Sequence, residues 1–207
     1  MEKNQGLKSI MAVILGLIAG AILMAVMRFN PLEGYEYLFK GGLKNLERIG
    51  NTIATATPLM LTGLSVAFAF KTGLFNIGAP GQMLFGGFCS IAVGLSLDLP
   101  KVILVPIVVL AGILGGALWA TVPGILKAKF NVHEVVSSIM MNWVAYWIVY
   151  YNIPKYFKGE FLETESKMLA DSATLRASWL SSIFEGSYIN LGIFLAMIAV
   201  FIVWFIL

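Results

Sequence analysis

The sequence predicts an all-α protein, a polytopic membrane helix bundle with six transmembrane helices. Two observations carry this. The 207 residues are 59% hydrophobic and only 12% charged, with a mean hydropathy of +0.87. The 25 charged side chains are also unevenly placed: the stretches 9–27, 49–70, 72–97, 102–126, 135–154 and 186–207 contain none. These stretches take up 134 residues, so every charge falls in the other 73. Crossing a hydrocarbon core as helix takes about 20 apolar residues, and each stretch reaches or nearly reaches that length. A β-barrel would show short alternating segments instead. A net charge of +3 on so apolar a chain marks no nucleic-acid patch, and the single Cys89, inside an apolar run, excludes a disulfide scaffold.

The first span is expected over 9–27, with Lys3 and Lys8 ahead of it and Arg28 closing it. It is longer than a signal-peptide core and no small-x-small site ends it, so it is read as a retained helix. Residues 29–48 place Leu32, Tyr35, Leu38, Phe39, Leu43 and Leu46 at helical spacing, which predicts a segment along the interface with Tyr35 and Tyr37 at headgroup depth. Further spans are expected over 51–70, 80–97, 102–123, 134–153 and 187–207. Between the last two lies an outer loop whose nine charges run from Lys155 to Glu185. The short segments 1–8, 71–80 and 123–133 carry five Lys residues, and weighting short loops places the N-terminus in the cytoplasm. The chain closes on Phe201 to Leu207 with no polar tail, so it is expected to be a fragment cut within or at the edge of the sixth span.

No ionisable side chain lies well inside a span, which argues against a proton-coupled carrier. There is no HExxH, carboxylate pair or Ser/His arrangement for an intramembrane hydrolase, nor a P-loop for ATP. Catalytic and metal-binding roles are therefore not expected. The uncharged polar residues say more. Asn51, Thr55, Pro58, Thr62 and Ser65 fall on one narrow arc of a helix. They either line a watery path or bond back to their own helix. Gly112, Gly116 and Ala120, with Gly115, and Gly16 with Gly20, read as packing stripes. Glu134, Ser138 and Asn142 follow at i+4. Asn142, in an apolar run, needs either a neighbouring helix or a cavity and its solute, and Glu134 caps the fifth span or serves function. In Lys71 to Gln82, Gly73, Gly78, Pro80 and Gly81 are expected to prevent a regular helix. That leaves a cytoplasmic turn or irregular backbone at membrane depth, where exposed amides meet polar solutes.

Two blocks carry a family resemblance. Ala56 to Phe70 reads ATPLMLTGLSVAFAF and leads into Gly73 to Gln82, GLFNIGAPGQ; Lys129 to Asn142 reads KFNVHEVVSSIMMN. Together they resemble the permease subunits of bacterial ABC importers, in the branched-chain amino acid and simple sugar permease family and its nucleoside-importer branch. Thr57, Pro58, Gly63, Phe75, Gly78, Gly81 and Glu134 stand at motif positions. Pro80 departs from the glutamate more usual there, and His133 from an asparagine. The resemblance implies a full subunit of about ten spans in the bacterial plasma membrane, with a coupling segment after the sixth. It implies a second permease subunit, ATPase subunits carrying ATP and Mg, and an extracytoplasmic binding lipoprotein, with no cofactor bound by this chain. On that footing Asn76, Gln82 and Asn142 are expected to contact a nucleoside or simple sugar. Thr55, Thr62 and Ser65 are expected to line its path, and the outer loop around Trp179 is a possible lipoprotein contact. An ion-gradient-driven secondary carrier and a non-transporting scaffold are the rival readings.

Overall fold

The computed structural model of the chain describes residues 5–160, 162 and 165–207. Lys3 and Glu163, counted above among the flanking charges, lie outside the described residues. Among those residues the protein is helical, with one isolated bridge, Lys158 to Ser166, as its only β pairing. The helices are α1 (Gln5–Val26), α2 (Pro31–Leu43), α3 (Leu46–Lys71), α4 (Ala79–Ser96), α5 (Lys101–Phe130), α6 (Glu134–Tyr156), α7 (Ser178–Ile183) and α8 (Gly192–Ile206). Three of them, α3, α4 and α5, are long and apolar enough to cross a membrane. The apolar parts of α1 (Ile10–Val26) and α8 are shorter.

Local chemistry sets the helix ends. After α1, Phe29 N–H bonds the Met24 carbonyl at 2.9 Å and Arg28 N–H that of Ala25 at 3.0 Å. This closing motif turns Arg28 to a φ of +65°. Asn30 then caps α2, accepting from Leu32 N–H at 3.1 Å ahead of Pro31, whose missing N–H suits a first helical position. α2 folds back on α1: a Cβ on Gly34 would lie 2.7 Å from the Met24 sulfur, and the Tyr35 hydroxyl donates to the Leu17 carbonyl. Tyr35 is thus tied to a helix, while Tyr37 is exposed. Leu46, grouped above with the interfacial segment, instead opens α3, because Asn45 caps it by accepting from Arg48 N–H at 3.1 Å.

The tightest packing joins α4 to α5, and glycine permits it. A Cβ on Gly86 would sit 2.7 Å from the Gly112 carbonyl oxygen and 3.3 Å from the Gly116 nitrogen. One on Gly115 would sit 2.7 Å from the Cys89 sulfur. Ser90 Oγ donates to the Val108 carbonyl at 3.0 Å along the same seam. Gly20 meets the Tyr35 hydroxyl, whereas Gly16 faces open space. α6 crosses the start of α4, and the Trp119 indole of α5 donates to the Met141 carbonyl at 3.2 Å while stacking on Phe85 at 4.3 Å. α8 rests on α3 across buried Thr57 and Ala196. It starts at Gly192 because 184–190 is held as loop against α3, where Ser187 packs on Gly50 and Tyr188 N–H bonds Asn51 at 3.0 Å.

Most buried side chains are small, Thr57, Ser137, Ser138, Ala145 and Ala196 among them, with Leu104, Ile153, Leu180 and Ile189 as larger ones, while many Leu, Ile, Phe and Trp side chains point outward. That pattern inverts a water-soluble fold and suits helices whose close approach, not burial of large apolar groups, supplies cohesion.

Gly86→Ala should lower the melting temperature of the detergent-solubilised protein, because backbone atoms block the new methyl; overpacking of this kind costs about 1–3 kcal/mol. Gly87→Ala, whose Cβ meets nothing within 4 Å, should leave it unchanged or slightly raised. Equal shifts in the two variants would contradict the glycine seam.

Candidate functional site

The break between α3 and α4 is shorter than the glycine pattern suggests. α3 ends in a closing motif in which Leu74 N–H bonds the Ala69 carbonyl at 2.9 Å and Gly73 turns to a φ of +79°, a conformation that favours glycine. Pro80 and Gly81, expected to keep the segment irregular, instead lie in the first turn of α4, where proline needs no N–H partner. Irregular backbone is confined to 72–78.

Asn142 holds this break against α6. Its Oδ1 accepts from Gly81 N–H at 2.9 Å, and its Nδ2 donates to the Ile77 carbonyl at 3.0 Å. One amide thus satisfies two main-chain groups at a helix start that has no side-chain cap. Gly81 is required for the approach, since a Cβ there would stand 2.6 Å from Asn142 Oδ1. Of the alternatives open to Asn142, the structure places it on neighbouring backbone.

The other two amides face each other. Asn76 Nδ2 donates to Gln82 Oε1 at 3.4 Å, and Gln82 Nε2 donates to Asn76 Oδ1 at 3.3 Å. Asn76 is further held by Gly78 N–H at 3.0 Å and by Ser65 Oγ at 3.3 Å. Buried Gly78 lies beneath the pair, and a Cβ there would press on both amides at 3.2 and 3.3 Å.

Two cavities meet at this point. The first, about 440 Å³, opens between α3, α4 and α5 and is walled by Pro58, Thr62, Ser65, Gln82, Gly116 and Ala120. The second, about 430 Å³, lies toward the α5–α6 corner and is walled by Phe75, Asn76, Gln82, Ala120, Lys127 and Glu134. Gln82 and Ala120 belong to both, so the two cavities adjoin along α5. Gly112, Gly116 and Ala120 pack on α4 and also floor the first cavity.

The arc on α3 divides by depth. Pro58, Thr62 and Ser65 face the first cavity, while Asn51 and Thr55 face a separate pocket of about 560 Å³ toward the N-terminal end of α3 with Tyr188, a residue for which the sequence offered no signal. Thr55 and Thr62 each bond back to a carbonyl four residues earlier, at 2.9 and 3.0 Å, and each borders a cavity. Thr57 faces α8, and Gly63 is exposed with open space beside it.

At the α5–α6 corner Asn131 takes a left-handed φ of +51°. The turn brings Lys127, in the last turn of α5, within 2.9 Å of Glu134, in the first turn of α6. Each charge suits the dipole of its own helix. The α6 cap itself is His133, whose Nδ1 accepts from Val135 N–H at 3.4 Å, so Glu134 is not the capping residue. Trp179 is exposed on α7.

Over residues 48–207 the chain matches the family described as branched-chain amino acid transport system / permease component. The chain belongs to that family. It is 41% identical over 198 residues to the guanosine ABC transporter permease protein NupP of Bacillus subtilis (strain 168), covering 96% of this chain and 56% of that protein. It is 37% identical to the nucleoside ABC transporter permease protein NupB of Lactococcus lactis subsp. cremoris, over 93% of this chain and 54% of that one. The glucose ABC transporter permease protein TsgB13 of Haloferax volcanii is 32% identical over 80% of this chain and 44% of its own length. The chain thus spans about half the length of the curated relatives it matches most fully. No solved structure matches it. Permease membership and the apolar helices make this a membrane-embedded helical chain.

Asn142→Leu should strip partners from Gly81 N–H and the Ile77 carbonyl. Each orphaned group costs roughly 1–3 kcal/mol, so amide exchange across 77–82 should rise with a lower melting temperature. Asn142→Asp, which keeps the acceptor, should cost less. Unchanged exchange in the leucine variant would show that the clamp does not hold the break.

Proposed function

We propose that this chain is part of the transmembrane translocation subunit of an ATP-driven importer for nucleosides or related simple sugars. The observation that carries the reading is the path on which two cavities meet at Gln82. Its walls are mostly apolar, with Leu61, Met83, Ile113 and Leu74 among them, and are set with the amides of Asn76 and Gln82, the hydroxyls of Thr62, Ser65 and Ser138 and the Phe75 ring; among the described residues its charged side chains are one ion pair. Such walls suit a neutral solute rich in hydroxyls and ring nitrogens, because each polar group loses water only where a hydrogen-bond partner replaces it. Family membership and the nucleoside and glucose permeases among the relatives support it.

In this reading α1, α3, α4, α5, α6 and α8 are six spans, with α2 lying against α1, and the N-terminus is cytoplasmic. The α3–α4 break and the α5–α6 corner then face inward, and the 157–191 loop with Trp179 faces the binding lipoprotein. A second permease subunit completes the path, and separate ATPase subunits bind ATP and Mg. This chain performs translocation rather than chemistry. Asn76, Gln82, Thr62 and Ser65 touch the solute on the path, Thr55 meets it at the outer pocket, and Asn142 acts by holding the break in place.

Cells carrying the complete importer should accumulate labelled uridine when ATP is maintained and the ion gradients are collapsed by an ionophore. Excess adenosine should compete. Uptake that vanishes with the gradient while ATP persists would establish a secondary carrier instead. Competition by ribose alone would replace the nucleoside assignment with a sugar.

A further inference from the structure

The Asn76–Gln82 pair is reciprocal: each amide donates once to the other and accepts once from it, at 3.3 and 3.4 Å. The halves are not equally held. Gly78 N–H and Ser65 Oγ fix Asn76, whereas Gln82 makes both of its side-chain bonds to Asn76 alone. Those two bonds are longer than the usual N–H···O range, and a solute edge offering one donor and one acceptor would replace both. Gln82 is also the amide common to both cavities, and the wall of the second also holds the Phe75 ring. Lys127 and Glu134 in the same wall neutralise each other.

We propose that Gln82 reads the solute by leaving Asn76 and pairing, through both amide atoms, with the edge of a nucleobase, while Phe75 covers the base face. This rests on the nucleoside reading above. An amide sets one donor beside one acceptor, and that is the pattern along the pairing edge of every common base. Guanine, hypoxanthine and uracil place a carbonyl beside a ring N–H; adenine and cytosine place a ring nitrogen beside an amino group. Turning the amide over matches either order, as glutamine and asparagine do when they take bases bidentately. Stacking on an aromatic ring is equally tolerant of base identity. The path therefore accepts purine and pyrimidine nucleosides alike. It rejects a base whose edge is methylated, because two amide atoms would then lose partners inside the membrane.

The test is ATP-driven uptake by the complete importer in proteoliposomes with its binding protein, comparing tritiated guanosine with N1-methylguanosine, per incorporated subunit. The wild type should favour guanosine by about tenfold or more. Gln82→Met should bring the ratio toward one by slowing guanosine while leaving the methylated analogue unchanged. Gln82→Glu, which keeps the length but removes the donor, should also lower the ratio and serves if the methionine variant does not assemble. The binding protein is common to all arms, so a changed ratio belongs to this subunit. A ratio that stays the same in the variants, or two solutes slowed by the same factor, would overturn base reading and leave the importer assignment standing. If the wild type carried ribose but neither nucleoside, the nucleoside reading itself would fail, and base reading with it.

Discussion

The constraint on which the rest depends is that a main-chain N–H or carbonyl shut away from water must find its partner within the protein. Helices meet it by themselves, and where this chain interrupts one it must supply partners from elsewhere. The break at 72–78 is supplied by Asn142, which reaches from α6 to Gly81 N–H and the Ile77 carbonyl. It is also supplied by Asn76, whose Oδ1 takes the Gly78 N–H. Two asparagines thereby hold the interruption, which places Asn76 outside any helix and opposite Gln82 in the opening of α4, both on a cavity wall.

A second consequence concerns space. Lipid gives helices no incentive to bury large apolar groups against one another, so α4 and α5 hold together by backbone proximity at Gly86, Gly112, Gly115 and Gly116. Drawing α5 onto α4 leaves it standing off from α3, and the gap is the cavity faced by Thr62 and Ser65. The glycine stripe thus packs one neighbour and opens a path beside another. The Lys127–Glu134 pair has a similar double standing: it fixes the α5–α6 corner and keeps the adjoining cavity free of unpaired charge.

Each amide gains its place from the group that consumes it. Asn142 spends both atoms on backbone, so it positions. Asn76 meets Gln82 through both amide atoms, and its Oδ1 also accepts from Gly78 N–H while its Nδ2 also donates to Ser65 Oγ, so it anchors. Gln82 spends both on Asn76 and nothing on the main chain, so it is the side chain free to exchange partners. All three side chains carry the same chemistry, and their hydrogen-bond partners separate their roles.

Much of this was legible beforehand where the signal is local. Long uncharged runs require helices because no other structure satisfies its own backbone over that length. Gly73, expected to break the helix, marks the stop of α3. The α3 arc follows from the period of 3.6 residues alone. What tertiary structure decided is everything that depends on contacts made across the chain. It decided that Pro80 and Gly81 begin a helix, that His133 and not Glu134 caps α6, and that Tyr188 lines a pocket beside Thr55. It also decided that Asn142 is spent on backbone 61 and 65 residues away. Sequence determines which groups a residue carries and which face of a helix they share, because both are set within a few residues. Which of those groups remain unsatisfied, and so available to a solute, is set by neighbours that only folding brings within hydrogen-bond distance.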